Sequence, residues 1–117
     1  MKQPDAGAPS FIELGVPAGS AARKFYGDVL GWRFTDMGKD NFLAHTPSIQ
    51  VGIHPGDADA VFVVYFLVDD LEAAIARVRA AGGKADDPGP EQEGFGRFTE
   101  CRDDQGVRFG LREIASK

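Results

Sequence analysis

The chain has 117 residues, 43% hydrophobic and 26% charged, with 13 Lys and Arg against 18 Asp and Glu, a formal net charge of −5. That is enough chain for one buried core, and the acidic balance excludes a nucleic-acid footprint, which needs clustered Lys and Arg. A single cysteine, Cys101, excludes an internal disulfide and makes a reducing cytoplasm the expected location. Residues 1–10 are polar with two prolines and read as a flexible leader rather than a signal peptide.

Phe11 to Val16 alternates, with Ile12, Leu14 and Val16 on one face, which predicts a strand. Pro17 and Gly19 break it, Ser20 is a candidate cap, and Ala22, Phe25, Val29 and Leu30 recur at helical spacing until Gly31 stops the helix. Three extended runs follow, Trp32 to Met37, Asn41 to Thr46 and Ile49 to His54, and Pro55-Gly56-Asp57 closes the unit. Val61 to Val68 is a second apolar, β-branched strand. It lies within the longest apolar run, nine residues from Ala60, against roughly 20 needed to span a membrane as a helix. Asp69 with Glu72 reads as a capping box opening a helix whose buried stripe is Leu71, Ile75 and Val78, ending at Gly82-Gly83. Lys84 to Asp87, Gly96 to Arg102 and Val107 to Arg112 read as three more strands, with Asp103 to Gly106 as a tight turn.

The order repeats. Val16 stands 15 residues before Gly31 and Val68 stands 15 before Gly83, with one helix in each interval. Gln50-Val-Gly-Ile-His54 resembles Arg108-Phe-Gly-Leu-Arg112. The offset grows from 52 to 58, so the second half carries six extra residues, placed around Asp86 to Gly94. The fold class expected is α+β: two tandem βαβββ modules, about 11–57 and 61–114, in one domain spanning 11–117. Their antiparallel-rich sheets curve into a partly closed wall around a central cleft, with the helices outside. Strand alternation then sends Ile12, Leu14, Val16, Val51, Ile53, Phe109 and Leu111 to the helices. Phe11, Glu13, Gly15, Gln50, Gly52 and His54 face the cleft, and so do Val63, Tyr65, Leu67, Arg108, Gly110 and Arg112.

Phe11-Ile-Glu-Leu-Gly-Val, Phe25-Tyr-Gly-Asp-Val-Leu-Gly-Trp32, Val68-Asp-Asp-Leu-Glu-Ala-Ala-Ile-Ala-Arg-Val and Gly94-Phe-Gly-Arg-Phe through Asp103-Asp-Gln-Gly106 resemble the vicinal oxygen chelate superfamily. Glyoxalase I, bleomycin-resistance proteins and extradiol dioxygenases belong to it, and the chain looks most like its small bacterial glyoxalase-like members. The resemblance places the metal ligands of the superfamily's enzymes at Phe11, Val63, Gly52 and Gly110. None of these has a donor side chain, whereas a divalent site needs three or four. The resemblance therefore implies the fold without the usual metal, and no cofactor is expected. It also implies a possible homodimer.

The ligand-facing set expected is Phe11, Glu13, Gln50, His54, Val63, Tyr65, Phe98, Glu100 and Arg108. Glu13 is the candidate acid or base, its alternative a salt bridge to Arg108 or Arg112. His54 is either a cleft residue or an exposed loop histidine, and Glu13, His54 and Glu100 are the types a displaced metal would use. Tyr65 could stack on a flat ligand or be plain core, and Arg108 and Arg112 could hold a carboxylate or phosphate. Arg112 is otherwise a solvated surface charge. Trp32, Phe95 and Phe98 are candidates for the cleft rim, and Cys101 is expected in the core.

Three functions follow: a metal-independent binder that sequesters or carries a small organic molecule; a lyase- or isomerase-type enzyme using Glu13 or a displaced divalent metal; and a regulatory domain with a filled cleft. The partner expected is a small organic molecule, with no nucleic acid and no membrane.

Overall fold

Alternation and punctuation in the sequence become two βαβββ modules. The computed structural model describes residues 6–114, and these divide into two compact units, residues 11–63 and residues 64–114 with 6–10.

In the first unit, β1 (Pro9–Gly15) is followed by α1 (Gly19–Leu30), β2 (Arg33–Gly38), β3 (Asn41–His45) and β4 (Gln50–His54). Strand order is β2-β3-β4-β1. The β2/β3 and β3/β4 pairs are antiparallel and β1/β4 is parallel. The crossover helix carries the chain from β1 to the far strand β2 and the meander leads back, so its last strand runs alongside the first and the sheet is mixed. Pairing of Ile53 with Leu14 and Phe42, and of Val51 with Ile12 and Ala44, stacks these side chains on one face. There they form the core with Ala22, and Val16, Tyr26, Trp32 and Phe34 pack against it.

Two features of α1 differ from expectation. Of the apolar stripe, only Ala22 is buried; Phe25, Val29 and Leu30 are all more than half exposed, and Tyr26, one turn on from Ala22, faces the core instead. Trp32 stacks on Tyr26 at 5.3 Å and 18°, so it belongs to the helix side and not to a cleft rim. The cap also differs. Asp40, in the β2–β3 turn, accepts from the N–H groups of Gly19 and Ser20 at 2.6 and 2.9 Å, which satisfies two of the donors a helix start leaves over. Its backbone has φ 67°, a conformation Asp tolerates better than most residues. Asp40→Ala is expected to cost about 1–2 kcal/mol and Ser20→Ala under about 0.5 kcal/mol, read as urea midpoints. Equal losses would show that the cap is local after all.

In the second unit, β5 (Phe62–Leu67) leads through α2 (Leu71–Ala80) to β6 (Lys84–Ala85), β7 (Arg97–Arg102) and β8 (Arg108–Glu113). The strand order is β5-β8-β7-β6, with β5/β8 parallel and the other two pairs antiparallel. Leu71, Ala74, Ile75, Cys101 and Leu111 form its core, with Val78, Ala85 and Phe109 against them. The Cys101 thiol is buried there and pushed up to about 11, chiefly by burial and then by Asp86 and Glu100, so it is no nucleophile at neutral pH. The extra residues of this module lie between Ala85 and Arg97.

Asp70, not Asp69, caps α2, accepting from the Ala73 N–H at 3.1 Å. Glu72 does not close the box. Arg97 grips both its oxygens at 2.8 Å and also donates to Glu113, which holds the Glu72 carboxyl down at about 2. Glu113 in turn accepts from the Leu71 N–H at 2.9 Å. Asp70, Glu72 and Glu113 approach within 4.8 Å of one another, and Arg97 supplies the positive charge among them.

Of the expected leader, residues 6–10 are described. Gly7 donates to the Leu67 carbonyl at 2.7 Å, Leu67 to that of Ala8 at 2.9 Å, and the Ser10 hydroxyl to that of Tyr65 at 3.3 Å. Residues 7–10 are therefore held against β5 by backbone pairing; residues 1–5 lie outside the described residues. No described helix is long and apolar enough to cross a membrane.

Candidate functional site

Each module has one sheet face turned to its helix and one turned away, and the side chains expected to meet a ligand are on the second. In the first module the row Leu43–Gly52–Glu13 runs across β3, β4 and β1, with His45, Gln50 and Phe11 in the next row. In the second module the matching row is Glu100–Gly110–Tyr65, with Phe98, Arg112 and Leu67 beyond it. Gly52 and Gly110 are thus equivalent, at the centre of each open face.

Both glycines are roofed by an aromatic ring from the first strand of their own module. A Cβ on Gly52 would lie 2.9 Å from Phe11 Cζ, and one on Gly110 only 2.1 Å from Tyr65 Cδ2. Phe11, Val63 and Tyr65 are buried, at 5%, 3% and 6% exposure. Phe98 meets the Tyr65 ring edge-on at 5.3 Å, and the Arg112 guanidinium lies 5.6 Å over Phe98.

Charged residues surround these rings. Glu13 and His54 face one another at 3.8 Å, each about one-third exposed. Asp57 joins them: a Cβ on Gly15 would lie 2.2 Å from Asp57 Oδ2 and 2.9 Å from His54 Cε1. The chain reverses after β4, and only a glycine at position 15 leaves room for that carboxylate. Sequence reasoning passed over Asp57 as part of a turn. Gln50 is half-buried beside Phe11 in register. His45, whose face the sequence left open, bonds Thr35 Oγ1 at 2.8 Å on an exposed stretch.

In the second module Glu100 pairs with Arg108 at 3.6 Å. Arg112 is not a solvated surface charge. It donates to the carbonyls of Phe95 and Ser10 at 2.8 and 3.1 Å, and burial pushes its guanidinium below the usual range. Its long stem packs while its head bonds backbone, which pins the segment before β7. Lys84 and Arg102, absent from the residues expected, sit on this face too, because β6 and β7 pair Lys84 with Arg102 and β7 and β8 pair Arg102 with Arg108. The tight turn Asp103 to Gly106 fixes that register; reading it as a two-strand hairpin would have shown Arg102 opposite Arg108.

The four positions that the resemblance marks for metal ligands hold Phe11, Gly52, Val63 and Gly110, and rings occupy the space over both glycines.

A helix-backed βαβββ module, repeated once, defines a glyoxalase-type fold. The family model of the Glyoxalase/Bleomycin resistance protein/Dioxygenase superfamily matches residues 9–111, and the chain belongs to that superfamily. Among curated proteins it is similar to the anthracycline biosynthesis protein DnrV of Streptomyces peucetius, 28% identical over 127 aligned positions that cover 90% of this chain and 46% of that protein. The chain thus spans about half the length of that relative. Among solved structures it shares its fold with methylmalonyl-CoA epimerase from Mycobacterium tuberculosis, with TM-score 0.66, 20% identity, and coverage of 99% and 94% of the two chains. It also shares it with homoprotocatechuate 2,3-dioxygenase from Arthrobacter globiformis, with TM-score 0.76, 19% identity, and coverage of 99% and 38%.

Proposed function

We propose that this chain is a metal-independent binding member of its superfamily that holds a small organic molecule on the helix-free faces of its sheets. The observation that carries the reading is the packing of Phe11 over Gly52 and Tyr65 over Gly110. Positions that would present donors to a metal instead form an apolar, ring-lined floor. Rings with a few polar groups at their edge favour flat organic ligands. On the first module's open face Gln50 and His54 would fix a ligand's orientation, on the second module's open face Phe98, Glu100 and Arg108 would do so, and the reading expects no metal cofactor. The relation to an anthracycline biosynthesis protein supports a planar, polycyclic ligand. A homodimer is part of the proposal, supported by the apolar surface that Phe25, Val29 and Leu30 expose on α1.

One observation favours a second reading, an acid–base enzyme of lyase or isomerase type. Glu13 and His54 stand 3.8 Å apart, close enough for the imidazole to hold and polarise the carboxylate. In that case Glu13 takes a proton and His54 holds Glu13 in place.

Thermal unfolding with zinc, nickel, iron(II), an anthracycline and bleomycin separates these ideas, since a ligand of the native state raises its melting temperature. The expected result is a concentration-dependent rise with an organic ligand and none with the metals. A stoichiometric, chelator-reversible rise with any of the metals would overturn the metal-independent reading. Loss of a detected turnover in Glu13→Gln with ligand binding retained would select the enzyme.

A further inference from the structure

The open face of the second module ends in a row of three cations. Lys84 pairs in register with Arg102 and Arg102 with Arg108, which places three positive side chains side by side on adjacent strands. They line a hollow of about 170 Å3 together with Asp86, Glu100 and the backbone at Cys101. The carboxylates do not neutralise the row. Glu100 pairs with Arg108 at 3.6 Å, Arg102 spends one N–H on the Gly106 carbonyl at 2.9 Å, and Lys84 makes no ion pair among the described residues.

Like charges directly opposite one another on neighbouring strands destabilise a sheet. Neighbouring strands are about 4.8 Å apart, so the row spans roughly 10 Å. A chain of net charge −5 that nevertheless gathers three cations around a hollow maintains a local arrangement that its own stability does not favour. Such conflicts mark functional positions.

From this geometry we infer that the Lys84–Arg102–Arg108 hollow binds an oxyanion, a phosphate or carboxylate carried by a small molecule. The guanidinium forks of Arg102 and Arg108 supply paired N–H donors to two oxygens, and Lys84 adds a point charge at the outer end. Asp86 and Glu100 at the margin accept from a hydroxyl or amine on the same ligand. This rests on the proposed binding role and adds a charge requirement to it: the ligand has an anionic group as well as a flat one.

The test uses the full chain and two probes, inorganic phosphate and succinate, with sodium chloride at matched ionic strength as the control. Melting temperature and calorimetric titration are read for the wild type, for Lys84→Gln/Arg102→Gln, and for Arg79→Gln, an exposed arginine on α2 whose side chain meets Asp87 and the Ala85 carbonyl. The wild type and Arg79→Gln are expected to bind at least one probe with a millimolar or tighter Kd. The double variant should weaken that binding at least tenfold, yet melt at the same or a higher temperature than wild type when no probe is present, because repulsion in the row is relieved.

Chloride reproducing the shift, neither probe binding the wild type, or the double variant binding as tightly as wild type would each overturn the inference. The broader role fails separately. Organic ligand bound equally by wild type and double variant leaves the binder standing and removes only the charged subsite. Phosphate or succinate bound with no organic ligand detected leaves the subsite and removes the binder.

Discussion

Gly110→Ala is expected to lower stability by about 2–4 kcal/mol, read as the denaturant midpoint with an unchanged slope. The added Cβ would stand 2.1, 2.2 and 2.6 Å from Tyr65 Cδ2, Cε2 and Cγ. It strikes the body of the ring, not its tip. Tyr65 has little room to yield, because its ring is 6% exposed and Phe98 stands edge-on to it at 5.3 Å. The equivalent Gly52→Ala is expected to cost only about 1 kcal/mol, since its Cβ meets the far end of the Phe11 ring at 2.9 Å and a small tilt relieves it. The two substitutions therefore separate a structural repeat into a tight copy and a looser one. In the Tyr65→Ala background the Gly110→Ala penalty should nearly vanish, a coupling of at least 1–2 kcal/mol. Additive losses, or Gly52→Ala costing as much as Gly110→Ala, would refute the account. The functional corollary concerns the metal. A histidine placed at position 110 would first have to displace Tyr65, so under the proposed metal-independent reading packing opposes a metal ligand there.

Leu71→Ala is expected to cost about 2–5 kcal/mol, the range for a fully buried leucine whose surroundings relax only in part. Leu71 is 0% exposed. It opens α2, and its N–H is held by Glu113 at 2.9 Å, so the backbone there cannot slide inward to fill the void. Ile75, Cys101 and Leu111 line the same cluster, and they join α2 to β7 and β8, the strands that carry Phe98, Glu100 and Arg108. Losing Leu71 should therefore weaken ligand binding along with stability. Equilibrium unfolding gives the first quantity, and titration with whichever ligand the thermal screen identifies gives the second. A loss below about 1 kcal/mol would mean that the site collapses around the smaller side chain.

Much of the architecture was written locally. Ile12, Leu14 and Val16 alternate, Gly31 ends α1 at φ 73°, and the second module restarts at the offset its helix and closing strand require. Local patterns decide such features because a strand's period and a glycine's positive φ need no distant partner. The stripe on α1 was misread for the converse reason. Apolar spacing marks a face, but which face meets a sheet depends on how the helix is rolled, and α1 is rolled to bury Ala22 and Tyr26 while exposing Phe25, Val29 and Leu30. The cap of α1 was misread likewise, since its acceptor, Asp40, lies 20 residues from Ser20.

The open faces divide the same way. Alternation placed Glu13, Tyr65, Gly110 and Arg108 away from the helices, and the resemblance pointed to Phe11, Val63, Gly52 and Gly110 as the places of the family's ligands. Neither could show that a ring closes over each glycine, that Glu13 meets His54 and Asp57 lies beside it, or that Lys84 stands beside Arg102. By itself the sequence determined the two modules, their strands and the side of the sheet each residue takes, because these follow from short-range periodicity. Only the tertiary structure decided which of those residues touch, because contact across strands is set by register, and register is fixed by turns and packing that no single segment contains.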